Sequence, residues 1–329
     1  MKSVTQAVES LKNPTAQKKL AGRTASVFYK LFRFVLLTSL CFVIIYPIIY
    51  MLSVSFREVK DLYDPTVIWV PKHFTLENYK LIMDTVGYTK ILGNTFFIAI
   101  VSTTLNVMSC ALVGYGFAKF KFRFKGLFFA LVLFMIVVPP QNVSIPLYLQ
   151  YNRFDFFGLG ALAKPFMGKS FTINLLNTPF TLFVPAAFGV GIRSGLFIYI
   201  FRQFFRGMPK ELEDAAYIDG CGLFKTFFRI IIPNASGAFL STFLFSFVWY
   251  YNDYFFTSMY FSSPQTISTA IGMLKDTLRG LGFEFYTDPY SIVAQMQAAC
   301  ILAIGPLIVI YMFLQRFFTK SIERSGIIG

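Results

Sequence analysis

The chain has 329 residues, of which 56% are hydrophobic and 19% aromatic, and its mean hydropathy is +0.60. A soluble domain of this size needs more polar surface than that to cover its core, so we predict that lipid surrounds most of the chain. The net charge is +14, from 30 Lys and Arg against 16 Asp and Glu. Because cytoplasmic loops of membrane proteins carry such a surplus, it does not indicate a nucleic-acid surface.

The cysteines and the histidine form no pattern typical of a metal site or an enzyme. Cys41, Cys110, Cys221 and Cys300 are far apart and lie mostly in apolar runs, which disfavours both a disulfide framework and a metal-ligand spacing. His73 is the one histidine and has no carboxylate-rich neighbourhood in the sequence, so we interpret it as a loop residue. We therefore expect no metal site, no catalytic residue and no cofactor bound by this chain.

The N-terminal part of the chain is predicted to be a basic arm followed by a span and a loop. Residues 1–31 are polar and basic, which is typical of a partly disordered cytoplasmic arm. The run 32–55 is long enough to cross a bilayer and lacks a cleavage pattern, so it is predicted to be a retained span, kinked at Pro47. Residues 57–92 are predicted to form an extended external loop that closes in a short helix near 76–83.

Two further spans are predicted before the middle of the chain. The second, about 94–118, is rich in small residues that let other helices approach closely, so it should lie inside the bundle. The third, about 126–150, contains Pro139, Pro140 and Pro146. Prolines free backbone carbonyls that must face protein or water, so this helix is predicted to line the pathway.

The loop 151–178 contains a fragment that looks like a nucleotide-binding loop. Gly168, Lys169 and Ser170 match the end of a P-loop. The glycine expected five positions earlier is Ala163, and no strand precedes it, so nucleotide binding there is disfavoured.

The fourth and fifth predicted spans, about 179–205 and 238–261, carry polar side chains that are expensive in lipid. Such residues mark functional sites, although an arginine can also reach the outer interface and polar side chains can pin helices together. Aromatic rings beside amide and carboxylate groups suit a sugar, because C–H faces stack and hydroxyls seek polar partners. Four residues are therefore candidates for the substrate pathway: Arg193, Tyr250, Asn252 and Asp253.

A sixth span is predicted at about 291–317, followed by a tail at 319–329. With six spans, 19 of the 30 basic residues fall on the side of the two termini. The positive-inside rule therefore predicts that both termini, and the charged segment 207–233, are cytoplasmic.

The segment 207–233 predicts two helices that meet at an elbow. Pro209 suits the first helical position, and acidic residues crowd the first turn, where the helix dipole favours negative charge. Gly220 stands where a helix ends in a left-handed residue. Apolar residues then recur at spacings of three and four as far as Pro233, which indicates a second helix.

The same segment carries a motif with fixed spacing. Asp214-Ala215-Ala216, three residues, Gly220, nine residues and Ile230-Ile231-Ile232-Pro233 resemble the cytoplasmic signature of bacterial ABC importer permeases, in which Glu replaces Asp214 and Leu replaces Ile232. The flanking residues resemble the carbohydrate-uptake branch. From the second span onward, the chain is similar to the smaller permease subunit of maltose-type sugar importers.

This resemblance implies an all-α polytopic membrane protein of six transmembrane helices with the ABC type I importer permease architecture. It divides the chain into the arm 1–31, a first helix and external loop at 32–92, a five-helix core at 93–318 with the coupling loop 207–233, and the tail 319–329. The implied coupling residues, which would contact an ATPase, are Glu211, Glu213, Asp214, Ala215, Ala216, Asp219, Gly220, Leu223 and Phe224.

The resemblance also implies function and partners. The chain would be a non-catalytic subunit of an ATP-driven sugar or oligosaccharide importer in the bacterial cell membrane. Its partners would be a second homologous permease, two ATP-binding subunits that hold ATP and Mg, and an extracytoplasmic solute-binding protein.

Three alternatives belong to other classes or substrates. A secondary transporter would need several carboxylates inside its spans, whereas Asp253 is the only acidic residue well inside a predicted span. An intramembrane enzyme would need a nucleophile and a base. An ABC permease for another solute, such as glycerol phosphate or a peptide, stays open, because Arg193 and the lysines of the outer loops would suit an anion.

Overall fold

The computed structural model describes residues 14–155, 158, 172–280 and 289–326. Within these ranges the chain is helical, and its only β-bridges are two isolated antiparallel ones. The predicted all-α class is therefore confirmed. The P-loop-like residues 168–170 and the last three residues of the predicted tail lie outside the described residues.

The described residues form two compact units, one up to Leu76 and one from Glu77 onward. A 3₁₀ turn at Pro140–Val143 and a π-helical turn at Phe227–Ile231 interrupt the α-helices. The α-helices are α1 Pro14–Ser55, α2 Val59–Tyr63, α3 Glu77–Val86, α4 Tyr88–Lys119, α5 Lys125–Val137, α6 Ser144–Asn152, α7 Phe180–Ala187, α8 Ser194–Gly207, α9 Glu211–Ile218, α10 Leu223–Thr226, α11 Ile232–Asn234, α12 Ser236–Tyr251, α13 Phe255–Tyr260, α14 Ile267–Gly272, α15 Leu274–Gly280 and α16 Pro289–Gly326.

Three of the predicted spans are single helices. Among the described residues, Ser26–Ser55, Tyr88–Lys119 and Tyr290–Gln315 are each long and apolar enough to cross a membrane. Two bent pairs reach that length only together: α5 with the helices at Pro140–Asn152, at 103°, and Leu223–Asn234 with α12, at 81°. The structure therefore gives three to five spans, and the count of six stays a prediction.

In the unit that ends at Leu76, the predicted loop after α1 contains the short helix α2 and a buried carboxylate. Asp61 accepts a hydrogen bond from the backbone N–H of His73, and its other oxygen lies 2.7 Å from the His73 ring Nδ1. Burial alone would raise the pKa of Asp61, but the hydrogen bonds from His73 outweigh it and lower the pKa. His73 is thus a loop residue as predicted, but it has a carboxylate partner that its sequence neighbours did not reveal.

The third predicted span breaks at its prolines. Val138, which precedes Pro139, has an extended backbone that ends α5, because a residue before proline is driven out of the helical region. The chain then turns by 103° into the 3₁₀ turn and α6. The break was predicted from the prolines, and its position along a substrate pathway stays a prediction.

The fourth and fifth predicted spans are each interrupted in the structure. The fourth is split into α7 and α8 by the segment 188–193, in which Gly189 and Arg193 have positive φ angles. The fifth ends with α12, and α13 begins at Phe255. The cluster around Asn252 and Asp253 therefore lies between two helices, at the C-terminal end of α12.

Helix α4 is the centre of the unit that begins at Glu77. It packs against α7, α8 and α12, as its small residues predicted. Gly114 shows how close the approach is, because a Cβ added there would lie 2.7 Å from Cβ of Phe201 on α8. Buried aromatic rings, among them Phe201, Phe205 and Phe227, fill the space beside α4.

Candidate functional site

The first half of the elbow is helix α9, and its end has the geometry that the sequence predicted. Gly220 has φ +75°, in the left-handed region that glycine adopts without a steric penalty. The N–H of Cys221 donates to the carbonyl of Ala216, and the N–H of Gly220 to that of Tyr217. These two bonds define a Schellman cap. The helix begins at Glu211, two residues later than predicted from Pro209.

One side of α9 is buried against the rest of the chain. Glu213 and Ala216 are 6% and 2% exposed. An oxygen of the Glu213 carboxylate lies 3.0 Å from the Lys119 ammonium, at the last residue of α4, at an angle that does not make a hydrogen bond. The Lys119 ammonium also donates to the carbonyl of Met208, which precedes α9. Lys119, at the end of α4, therefore contacts both α9 and the residue Met208 before it.

The opposite side of the elbow is open. The most exposed side chains are Ile218 at 86% and Phe224 at 75%. Carboxylates stand beside these apolar side chains, and within the described residues Asp214 is the one of them with a cation at ion-pair distance, Lys210 at 3.9 Å. We call this surface the elbow face; it consists of Glu211, Asp214, Ala215, Ile218, Leu223 and Phe224.

The nine predicted coupling residues thus separate into two groups. Glu213 and Ala216 face their own chain. The other seven are exposed: Glu211, Asp214, Ala215, Asp219, Gly220, Leu223 and Phe224. Contact of any of them with an ATPase stays a prediction.

The second half of the elbow is anchored in the core by aromatic rings. Phe227 is 2% exposed, and its ring lies 5.1 Å from that of Tyr115 on α4 and 6.3 Å from that of Phe205 on α8. The chain forms a π-helical turn there and, beyond Asn234, bends by 81° into α12. The sequence predicted the helix and its end near Pro233, but neither the π-helical turn nor the bend.

The break between α7 and α8 is held by buried polar side chains. Asn106 of α4 has no exposed surface; its amide nitrogen donates to the carbonyl of Ile192, and its amide oxygen accepts from the hydroxyl of Ser194 at 2.6 Å. Ser109 donates to the carbonyl of Ala186. The hydroxyl oxygen of Tyr250 accepts from the backbone N–H of Ile192 at 3.1 Å. Backbone groups freed by the break therefore find partners on α4 and α12.

Arg193 is the charged residue of this break, and it is exposed. Its φ is +58°, which is rare for a residue other than glycine. The guanidinium carbon lies 4.4 Å from the centroid of the Trp249 ring, a distance typical of a cation–π contact. Both side chains are exposed. The structure thus places a cation and an indole ring side by side on an open surface.

The structure separates the four candidate pathway residues. Tyr250 is 2% exposed and belongs to the core. Asn252 is exposed and donates to the carbonyl of Val248 on its own helix. Asp253 accepts hydrogen bonds from the backbone N–H groups of Phe256 and Thr257 and so caps α13. Whether these four residues contact a substrate stays a prediction.

Sequence reasoning missed Asn106, and it placed Trp249 in the cluster expected to meet a ligand without making it one of the four candidates. Asn106 was the one amide in the apolar middle of the second predicted span, which was the available signal. Trp249 stands beside Tyr250 in the same sequence cluster. Among the described residues, no group of three His, Cys, Asp or Glu side chains could hold a metal ion. The predicted lack of a cofactor stays a prediction.

Comparison with known proteins identifies the class to which this helical chain with interrupted spans belongs. Residues 110–324 match the model of the family described as binding-protein-dependent transport system inner membrane component. That match covers more than half of the chain. The chain therefore belongs to this family of ABC transport permeases, and it is a multi-pass membrane protein.

Individual relatives agree with the family. The arabinooligosaccharides transport system permease protein AraQ of Halalkalibacterium halodurans is 27% identical over 293 residues, 88% of this chain and 93% of that protein. The maltodextrin transport system permease protein MdxG of Bacillus subtilis is 27% identical over 312 residues, 93% of this chain and 99% of that protein. The fold is similar to a chain of a bacterial ABC transporter involved in the import of the acidic polysaccharide alginate, with a TM-score of 0.70, 20% identity and coverage of 89% and 98%.

Proposed function

We propose that the chain is the translocation subunit of an ATP-driven importer of a sugar or oligosaccharide. The substrates of its relatives support a carbohydrate, since these proteins are named as permeases for arabinooligosaccharides, alpha-glucosides and maltodextrin. The family supports transport across the membrane without catalysis by this chain. The subunit would form half of the pathway.

The open elbow face is the observation on which the coupling role rests. Exposed apolar side chains such as Ile218 and Phe224 mark an interaction surface when they cluster. The inner side of α9 already contacts its own chain, through the ion pair between Glu213 and Lys119. Because the elbow is fixed to α4 on one side and open on the other, a partner that moves the elbow would also move α4.

The partners we propose are two ATP-binding subunits, a second homologous permease and an extracytoplasmic solute-binding protein. The positive-inside rule supports a cytoplasmic position for the elbow and both termini. ATP and Mg would be bound by the ATPase subunits. Closure of those subunits would be transmitted through α9 to the spans.

The surface around Arg193 and Trp249 supports a carbohydrate with polar substituents. An exposed indole ring can stack on the C–H face of a sugar, and a guanidinium can donate to hydroxyl or carboxylate oxygens. The guanidinium also favours the second candidate function, an ABC permease for an anionic solute such as glycerol phosphate.

The experiment that tests the proposal is reconstitution. The chain, co-purified with the subunits encoded beside it, is placed in proteoliposomes, and ATP-dependent uptake of labelled arabino- and malto-oligosaccharides is measured with and without the binding protein. We expect uptake that requires ATP and the binding protein. Uptake by the chain alone would contradict the ATP-driven mechanism, and uptake of glycerol phosphate but of no sugar would favour the second candidate.

A further inference from the structure

Helices α5 and α8 pack closely beside the turn 119–125, which is rich in lysine and arginine. A Cβ at Gly195 of α8 would lie 2.9 Å from the Val132 carbonyl oxygen of α5. The Arg202 guanidinium carbon lies 3.8 Å from the centroid of the Phe129 ring. Position numbers rise along α8 as they fall along α5, so the helices are antiparallel. One helical turn further, Arg206 on α8 comes level with the start of α5.

Three cations lie near one another at this end of the helix pair, and we call the surface of Lys125, Arg202 and Arg206 the basic cleft. Lys125 is close enough to both arginines for their positive charges to act on it. In the part of the chain that the structure describes, none of the three has a carboxylate within ion-pair distance. The nearby Lys119 differs, because Glu213 neutralises it. The basic cleft thus keeps an excess of positive charge.

The deepest member of the basic cleft has an unused hydrogen-bond donor. Nε of Arg202 is buried and makes no hydrogen bond within the described residues. A buried charged donor without an acceptor costs free energy, and an anion bound near the guanidinium would lower that cost by its charge. Among anions, phosphate suits converging Arg and Lys side chains.

The surroundings of the basic cleft are apolar and exposed. Phe122, Phe124 and Phe128 lie in or beside the turn that leads into α5, and they are 43%, 58% and 49% exposed. Beyond them, α5 exposes Leu131 and Phe134 along its length. A free phosphate or a nucleotide gains nothing from such a surface, whereas acyl chains would cover it. The combination of cationic cleft and apolar side therefore favours a lipid.

We propose that the basic cleft binds the phosphate of an anionic phospholipid, with its acyl chains along α5. The phosphate lies between Lys125 and Arg206, and the charge of the Arg202 guanidinium attracts it. Basic pockets between transmembrane helices bind anionic headgroups in this way. The site does not depend on the transported solute; only the leaflet, which is the cytoplasmic one, follows from the orientation in the proposed function.

Native mass spectrometry of the full-length chain, purified with its accompanying subunits, tests this site. The protein is incubated with phosphatidylglycerol or phosphatidylcholine, and the lipid retained after detergent exchange is counted. We expect preferential retention of phosphatidylglycerol. In the variant Lys125→Gln/Arg206→Gln its affinity falls about tenfold or more, since each cation near a headgroup contributes on the order of 1 kcal/mol.

Two control variants make the result specific. Lys30→Gln/Arg33→Gln removes the same charge from α1 and should leave retention unchanged, whereas Lys125→Arg/Arg206→Lys keeps the charge in the basic cleft and should keep the lipid. Equal retention of the two lipids, or an equal loss in the α1 variant, would overturn the proposal. So would a photoreactive residue at position 206 that captures a protein subunit and no lipid. Retention is measured without transport, so the outcome is independent of the sugar-import test.

Discussion

The elbow and the break between α7 and α8 are two interruptions of an apolar helical chain, and they are satisfied in opposite ways. In the break, Asn106, Ser109 and Tyr250 take up the freed backbone groups. In the elbow, the local Schellman cap of Gly220 does so, and one ion pair fastens the helix. The break is therefore closed by its own chain, whereas the elbow keeps an open face.

The difference between the break and the elbow indicates where a partner can bind. When a buried polar group already has its hydrogen bonds, replacing them with hydrogen bonds to a partner gains no free energy. The elbow face has few internal partners, since most of its side chains are exposed. The comparison thus indicates a structural role for the Asn106 region and supports the proposed interaction role of the elbow face.

The largest expected effect comes from removing the ion pair between Lys119 and Glu213, which holds the elbow against α4. Lys119→Met leaves the Glu213 carboxylate buried without its cation, and we expect a loss of about 3 kcal/mol in the free energy of unfolding. Scanning fluorimetry in detergent measures it as a lower unfolding midpoint. The double variant Lys119→Met/Glu213→Leu should regain most of the loss, because no uncompensated charge remains. A double variant as unstable as the single one would mean that the ion pair does not hold the elbow.

The next effect concerns the polar anchor of the break. Asn106→Leu has a similar volume but leaves the carbonyl of Ile192 and the hydroxyl of Ser194 without their partner, so we expect a loss of about 2.5 kcal/mol. Asn252→Leu is the matched control, because Asn252 is exposed and bonds only to its own helix. The same unfolding assay compares the two variants. Equal midpoints would show that the break is not held by Asn106.

A third prediction uses the crowded glycine of the break. A Cβ at Gly191 would overlap the Tyr250 hydroxyl oxygen and lie 2.9 Å from Cα of Ala186. We expect Gly191→Ala to cost about 2 kcal/mol through overpacking, measured as the shift of the unfolding midpoint. Gly191→Ala/Tyr250→Phe removes the overlapping oxygen and should recover part of the loss. No recovery would place the strain at Ala186 instead.

At Gly220 we expect the smallest effect on stability but a large effect on uptake. A Cβ there would meet nothing within 4 Å, so the only cost is the positive φ, about 1 kcal/mol. Gly220→Val should insert normally and lose uptake, because the end of α9 is misdirected. Gly220→Asn, which tolerates the left-handed region, should retain more uptake. Normal uptake by the valine variant would count against a coupling role for this turn.

How far the sequence could predict these regions depends on the range of their interactions. The cap at Gly220 and the break at Pro139 arise from residues that are neighbours in the sequence, so their signals were readable. The break before Arg193 has no proline, and its hydrogen bonds come from Asn106 and Tyr250, which are distant in the chain. The apolar composition of the whole segment concealed it.

The elbow shows the same limit on a smaller scale. The acidic first turn of α9 was predicted, but which acid faces inward was not, since Lys119 lies on another helix. Exposed Asp214 and buried Glu213 are adjacent in the sequence and differ only in the direction their side chains take around the helix. The segment that forms the elbow face could therefore be predicted from the sequence, but which of its side chains are exposed could not.

The central claim is that the elbow face contacts an ATP-binding subunit. A photoreactive amino acid at position 224 of the assembled importer, followed by irradiation and mass spectrometry, tests it directly, with position 174 as the control on the proposed outer side. The account predicts a cross-link from position 224 to the ATP-binding subunit and none from position 174. A cross-link from position 174 to that subunit, or none from position 224, would contradict it.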